Sequence, residues 1–257
     1  MKVLIFGLPG AGKTYLAERL MNMLGNERAE WVNADTVRKE ADDWDFSERG
    51  RERQNQRMRI LADAVVQKGK IAICDFICPT EDGRDLFGAD YEIFVDTIEK
   101  GRFADTNKLF ERPDYENYDC VIPHYVVTEK RLEVDARLIM WDLLDIDTEA
   151  PTAQMLGRYQ PWHEGHRALF ERLFEKYGQV CVMVRNMTPD ENNPDSAEMI
   201  KRYIELELAV YAGYAKVMIV PNITHIGYGR NVGYTIGREH FDADIETISA
   251  TKIRNQQ

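Results

Sequence analysis

Short apolar runs that stop at Gly, Asp or Pro alternate along this chain with longer segments of helical period. The runs are Val3–Phe6, Ile71–Cys74, Tyr91–Val95, Val121–Ile122, Gln154–Leu156, Val180–Val184 and Lys216–Val220. Between them, Tyr15–Leu24, Arg53–Val66, Leu132–Leu144, His166–Tyr177 and Ala197–Tyr211 return an apolar residue once per helical turn. Strands alternating with helices predict βαβ units, hence an α/β fold whose parallel sheet is buried on both faces. The polar, proline-containing stretch Asp145–Thr152 follows a helix rich in Leu, Ile and Trp and is the expected domain boundary. It predicts one domain over 1–147 and a second over 153–257. Thr188–Ser196 (TPDENNPDS) is expected as a polar loop inside the second. No internal repeat interrupts the pattern.

Composition adds constraints rather than identity. With 257 residues, 44% apolar and 30% charged, the chain is ordinary globular protein, not a disordered segment, a collagen or a coiled-coil rod. No apolar run approaches the length of a membrane span, and the start reads as a strand and loop rather than a secretion signal. The four cysteines (Cys74, Cys78, Cys120 and Cys181) form no CxxC pair, so reduced thiols and a cytoplasmic location are expected. The net charge is −11 and unevenly shared: residues 1–150 carry 21 basic and 31 acidic groups, residues 151–257 carry 12 and 13. So acidic a chain lacks the electrostatic footprint of a non-specific nucleic-acid binder. Any phosphate it binds must be handled locally, by Mg2+, loop amides and a few placed basic groups. The asymmetry is a first hint of two separate units.

Gly7-Leu8-Pro9-Gly10-Ala11-Gly12-Lys13-Thr14 satisfies GxxxxGK[ST] in full, between an apolar run and a helical segment. Gly7, Gly10 and Gly12 let backbone N–H groups turn toward phosphates, and the helix adds the positive end of its dipole. Lys13 reaches the β- and γ-phosphates of a nucleotide, and the Thr14 hydroxyl is a ligand for Mg2+. Asp35 and Arg38 stand three apart where a strand is expected to run into a helix. Asp35 is placed to take the proton of an attacking hydroxyl or to hold the metal, and Arg38 to bind a substrate phosphate. Asp75, at the end of the Ile71–Cys74 run, is expected to reach Mg2+ through water. The plain alternative for each aspartate is a solvated or helix-capping residue.

Over about residues 1–145 these features resemble the adenylylsulfate (APS) kinases. Asn33–Arg38 is similar to their DGDxxR segment, Phe46-Ser47 to their FS pair, and Arg53–Arg57 to their ENxRR stretch. Phe76-Ile77-Cys78-Pro79 is similar to FISP, with Arg84 downstream, and Ile93–Thr97 to VFVDT. The resemblance implies ATP-dependent phosphorylation of a hydroxyl on a nucleotide-like substrate, with Arg38, Phe46, Asn55 and Arg57 near that substrate. The chain departs from the pattern at Asn33, where the family has Asp, and at Cys78, where it has Ser. It also lacks a basic helix in the lid region Lys100–Asp119. The chemistry survives these changes; the identity of the substrate is left open.

A second constellation lies at Gly157-Arg158-Tyr159-Gln160-Pro161-Trp162-His163-Glu164-Gly165-His166. His163 and His166 sit at a helix start, where both rings can face one phosphate and stabilise charge on a pyrophosphate leaving group without a covalent nucleophile. A zinc pair would want different spacing or a third ligand. At the carboxyl end, Ile248–Arg254 (ISATKIR) offers Ser249 and Thr251 hydroxyls at another expected helix start, with Arg254 one turn in. Together the two motifs resemble the nucleotidyltransferases marked by GRFQPxHxGH and ISSTxIR, which include nicotinamide mononucleotide adenylyltransferases and small cytidylyltransferases. That resemblance places His163 and His166 on the triphosphate. It puts Ser249, Thr251 and Arg254 on its β- and γ-phosphates, and Arg158 and Gln160 in the nucleotide pocket. The Gly- and Tyr-rich segment 226–234 is either a ligand loop or a surface hairpin.

The expectation is a bifunctional enzyme of two Rossmann-like α/β domains, a P-loop kinase followed by an HxGH nucleotidyltransferase. Its cofactor is Mg2+ and its nucleotide ATP, with CTP the alternative in the second domain. The acceptor there is a small phosphorylated metabolite, with no nucleic acid and no membrane as partners. A homo-oligomer stays open. Two other readings remain: a sulfate-activation protein, and a nucleotide-binding module with decayed catalysis. The second domain is short for its family, so a pared-down fold is expected, leaning on the first half or on a partner subunit.

Overall fold

The structure is a computed structural model. It describes residues 1–123, 129–191, 193–227, 229, 233, 235–242, 244, 248 and 253, with the side chains of residues 129 and 130 excepted. The chain divides into two compact units, Met1–Met140 and Trp141–Gln257.

The first unit opens with β1 (Lys2–Phe6), α1 (Lys13–Arg28), β2 (Ala29–Asn33), α2 (Ala34–Glu40), α3 (Glu48–Gln67) and β3 (Ile71–Asp75). It continues with α4 (Glu81–Phe87), β4 (Tyr91–Asp96), α5 (Ala104–Leu109), β5 (Cys120–Pro123) and α6 (Glu129–Leu143), whose last residues lie across the division. All strand pairs are parallel, in the order β2-β3-β1-β4-β5. The uninterrupted apolar runs form the interior strands: Val3, Leu4, Ile5 and Phe6 of β1 are all fully buried. β2 is absent from the expected runs for a physical reason. It is an edge strand, and Ala29-Glu30-Trp31-Val32-Asn33 mixes buried with exposed positions, which leaves no run to read. The helix expected over Tyr15–Leu24 is interrupted just after it, at Gly25, whose φ of 72° and ψ of 160° are non-helical, and α1 then resumes to Arg28.

The second unit contains β6 (Ala153–Gly157), α7 (Glu164–Tyr177), β7 (Val180–Arg185), α8 (Ala197–Glu207) and β8 (Ala215–Val220). Among the described residues it has one three-stranded parallel sheet, ordered β6-β7-β8. Its core joins Met155, Val182 and Val217 of the strands to Phe170 of α7 and Ile200 and Ile204 of α8. The helical period read to Tyr211 ends earlier, at Glu207, and a 3-10 turn covers Ala209–Tyr211. Both units are Rossmann-like α/β folds, and each places a loop and a helix start beyond the carboxyl end of its first strand.

Candidate functional sites

The loop after β1 takes the shape its glycines permit. Gly7, Gly10 and Gly12 have φ of 144°, 94° and 99°. A Cβ on Gly7 would stand 2.4 Å from the Val95 carbonyl oxygen, so no other residue fits there. Gly12 occupies the N-cap of α1 without a side chain to cap it, which leaves the first-turn amides to a ligand. Thr97 Oγ1 donates to the Ala11 carbonyl at 2.6 Å and pins the loop to the end of β4. Lys13 is buried and donates from Nζ to the Leu8 carbonyl at 3.0 Å. Burial lowers its pKa to about 8, against the opposing pull of Asp75 and Asp35.

Register brings the metal candidates together. Asn33 and Asp75 end adjacent strands as Cα partners, and Asp75 also pairs with Ile5 of β1. The buried Asp75 carboxylate accepts from Thr14 Oγ1 at 2.7 Å, Trp31 Nε1 at 2.8 Å and Asn33 Nδ2 at 2.9 Å. Burial raises its pKa, and these donors oppose the rise. A hydroxyl beside a carboxylate is the hard-oxygen donor set that Mg2+ accepts when nucleotide phosphates supply the rest. Among the described residues no cluster of three or more His, Cys, Asp and Glu could hold a metal by itself. Asn33 serves two elements, since its Oδ1 also accepts the Thr36 amide at 3.0 Å and caps α2. Asp35 lies exposed in the first turn of α2, close enough to act electrostatically on both Lys13 and Arg38.

The expected substrate residues form a neighbouring group. Arg38 is buried, its guanidinium 4.7 Å from the exposed Phe46 ring, and Nη1 donates to the carbonyls of Asp43 and Asp45. Arg57 does not stand ready for an anion: it pairs with Asp43 at 2.7 Å. Asn55 is buried and donates to the Gly83 carbonyl at 2.6 Å. In the lid region, α5 is six residues long, and Arg112 pairs with Asp96 at 2.6 Å.

In the second unit His163 is the N-cap of α7. Its Nδ1 accepts the Gly165 amide at 3.1 Å, while His166 Nδ1 accepts the His163 amide at 3.3 Å. Each ring spends its acceptor nitrogen on the helix start, so each neutral imidazole carries its proton on Nε2, the donor left for a phosphate. The rings stack at 3.8 Å. His166 also packs edge-on against Tyr159, at 5.0 Å, and near Trp162, at 5.4 Å. Burial drives its pKa down to about 3, with His163 adding to the shift. Burial lowers His163 as well. Tyr159, at φ 52°, lays its ring over Gly157, where a Cβ would be 2.7 Å from it.

Gln160 is buried and binds the backbone of Asp195 through both amide atoms, at 2.8 and 3.2 Å. Arg158 donates to Asn193 Oδ1 at 3.4 Å. The polar loop Thr188–Ser196 is thus held against the motif. Ser249, Thr251 and Arg254 lie outside the described residues, as do five residues of segment 226–234. Sequence reasoning did not single out Trp31, Asp43, Asp45 or Asn193. All are partners of motif residues, and only strand register or loop closure brings them in.

Comparison with known proteins divides the chain the same way. Residues 1–112 match the adenylylsulphate kinase family and residues 155–226 the cytidylyltransferase-like family. A probable adenylyl-sulfate kinase of Aeropyrum pernix is 33% identical over 87 residues, which cover 33% of this chain and 48% of that protein. The chain therefore spans about half the length of that relative. The APS kinase of Mycobacterium tuberculosis, solved in complex with AMPPNP and APS, aligns at 21% identity and TM-score 0.46 over 54% of this chain and 94% of that one. A hexameric APS kinase from Thiobacillus denitrificans aligns at 27% identity and TM-score 0.43, over 55% of this chain and 28% of that one. The families support a kinase joined to a nucleotidyltransferase-like unit.

Proposed function

We propose that the chain is a bifunctional enzyme that phosphorylates a small hydroxyl compound and then transfers a nucleotidyl group to a phosphorylated acceptor. The observation that carries this reading is the pair of phosphate-facing helix starts, one in each unit and each inside its own family match. In the first unit the loop amides and Lys13 hold the nucleotide phosphates. Thr14 and Asp75 would hold Mg2+, which would supply neutralisation of the phosphate charge. The acceptor oxygen bonds to the γ-phosphorus as the bond to the bridging oxygen breaks. ADP leaves with that electron pair, and the hydroxyl proton passes to Asp35.

In the second unit an acceptor phosphate oxygen bonds to the α-phosphorus of the nucleotide while pyrophosphate leaves. His163 and His166, both neutral, donate from Nε2 to the oxygens that gain charge. A kinase produces the phosphate that a nucleotidyltransferase requires, which gives the fusion a chemical logic. Pyrophosphate release, followed with each of the four NTPs against phosphorylated acceptors, tests the second activity. ADP formation tests the first. The reading fails if no acceptor supports either.

The adenylylsulphate kinase match is compatible with a narrower reading, in which APS itself is the acceptor of the first unit, although Asn33 and the lid region depart from that family's pattern. Labelled ATP supplied with APS decides it, through the appearance of a labelled, doubly substituted nucleotide.

A further inference from the structure

The segment that follows β4 lies against the phosphate loop. Thr97 holds the Ala11 carbonyl, and four residues later Gly101 meets the loop again. A Cβ on Gly101 would stand 2.8 Å from Pro9 Cδ and 3.2 Å from the Pro9 carbonyl oxygen, so only glycine allows this approach. Arg102 comes next, and a Cβ on Gly10 would be 3.7 Å from its Nε. The Asn107 side chain, in α5, closes the turn from both sides. It accepts the Gly101 N–H at 2.8 Å and donates to the Gly101 carbonyl at 3.0 Å. Thr106, the residue before it, is buried and seats α5 in the unit.

The Arg102 guanidinium is exposed and, among the described residues, makes no hydrogen bond and no ion pair. Its neighbours are committed. Arg112, the other arginine of the lid region, is held by Asp96 at 2.6 Å and donates to the Ile98 carbonyl at 3.2 Å. Arg51, which meets α5 from α3, pairs with Asp105 at 3.0 Å. An arginine with its donors unspent, beside a loop whose amides cradle phosphate, is a ready partner for phosphoryl oxygens. The loop amides take the inner phosphates, so a group reaching in over Gly10 from solvent meets the outermost one. Lys13 approaches from the opposite, buried side.

We propose that Arg102 is a further phosphate-binding residue of the first unit, acting on the γ-phosphate of the nucleotide, and that Asn107 is a positioning residue that acts through it. One arginine in cis then supplies the charge in a lid region that has no basic helix. During transfer the guanidinium offsets charge on the γ-phosphoryl oxygens; it forms no bond to phosphorus and gives up no proton. This deepens the kinase reading above and rests on its assignment of the phosphate loop.

The test is the increment that a γ-phosphate adds to binding. Affinities of the full-length chain for ADP and for the non-hydrolysable ATP analogue AMPPNP, each with Mg2+, are measured by titration calorimetry. Arg102→Ala is expected to lower AMPPNP affinity about tenfold and to leave ADP within a factor of about two. Arg102→Lys should recover part of the loss, and unchanged ADP binding shows that the loop is intact in each variant. Asn107→Ala should lose a smaller part of the same increment. The Asn107→Ala/Arg102→Ala chain should lose no more than Arg102→Ala alone, because a residue that acts through another adds nothing once that one is gone. The proposal is overturned if neither nucleotide binds the unaltered chain, if Arg102→Ala leaves the increment unmoved or weakens both nucleotides equally, or if the two losses add. Failure of the kinase reading shows separately, as absence of γ-phosphate transfer from ATP to any acceptor while the increment and its loss stand.

Discussion

At the start of α1 a glycine occupies the cap and a buried lysine follows it; at the start of α7 two imidazoles do the capping themselves. Both helices point their positive ends at a place suited to phosphate. The first meets charge with charge, at the cost of burying an ammonium group, and the burial shows in the lowered pKa of Lys13. The second meets charge with two oriented N–H dipoles that remain neutral near pH 7. A cationic site binds a ground-state triphosphate strongly, whereas a neutral donor pair gains most where charge develops during the reaction.

The largest test separates the two halves. Lys13→Ala is expected to lower ADP formation by about 10²–10³-fold and leave pyrophosphate release within a factor of about two. His166→Ala should do the reverse. If either substitution abolishes both activities, the units do not act independently and the comparison breaks. If neither activity exists in the unaltered chain, a binding module remains.

Acidity separates them next. Nucleotide binding to the first unit needs the Lys13 ammonium, so affinity for ATP is expected to fall as pH rises through about 8. An unshifted lysine would hold its charge past pH 10. The His166 ring stays neutral down to about 3, so nucleotidyl transfer should show no limb from His166 between pH 5 and 8. The same shift makes a stability prediction. The unfolded chain takes up a proton on this residue near pH 6.5, but the folded chain does so only near 3. Stability of the second unit is therefore full above about 6.5 and falls as the pH drops toward 3. Thermal melts across that range check it.

A smaller effect probes the support of Asp75. Trp31→Phe removes one donor from this buried carboxylate and should cost about 1–3 kcal/mol in the unfolding of the first unit. It should also reduce the indole fluorescence change when Mg2+ and ATP are added together. Smallest is Gln160→Ala, which unfastens the loop at Asp195; a cost of about 1–2 kcal/mol is expected, confined to the second unit. An equal loss of pyrophosphate release and of stability would make Gln160 a brace rather than a nucleotide contact.

The interior strands and long helices were legible because each is carried by a local period, and both phosphate motifs because their function needs neighbours in sequence: glycines for the turn, then a residue one step into the helix. The end of a strand leading into α2 was legible at Asn33, but the extent of β2 was not, since an edge strand buries only part of itself and leaves no apolar run. Trp31 was not, because what makes it matter is Asp75, more than forty residues away and one strand over.

By itself, then, the amino-acid sequence determined the class of fold and the order of the two family motifs along the chain. These rest on backbone freedom and on residues a few positions apart, which the chain encodes locally. Tertiary structure decided what those residues are paired with: Asp75 gathered by three donors, Arg53 and Arg57 paired with Asp43, and two histidines whose Nδ1 atoms are committed to the start of α7. Burial and pairing depend on which distant segment packs alongside. They decide which groups of a motif stay available and what charge they carry.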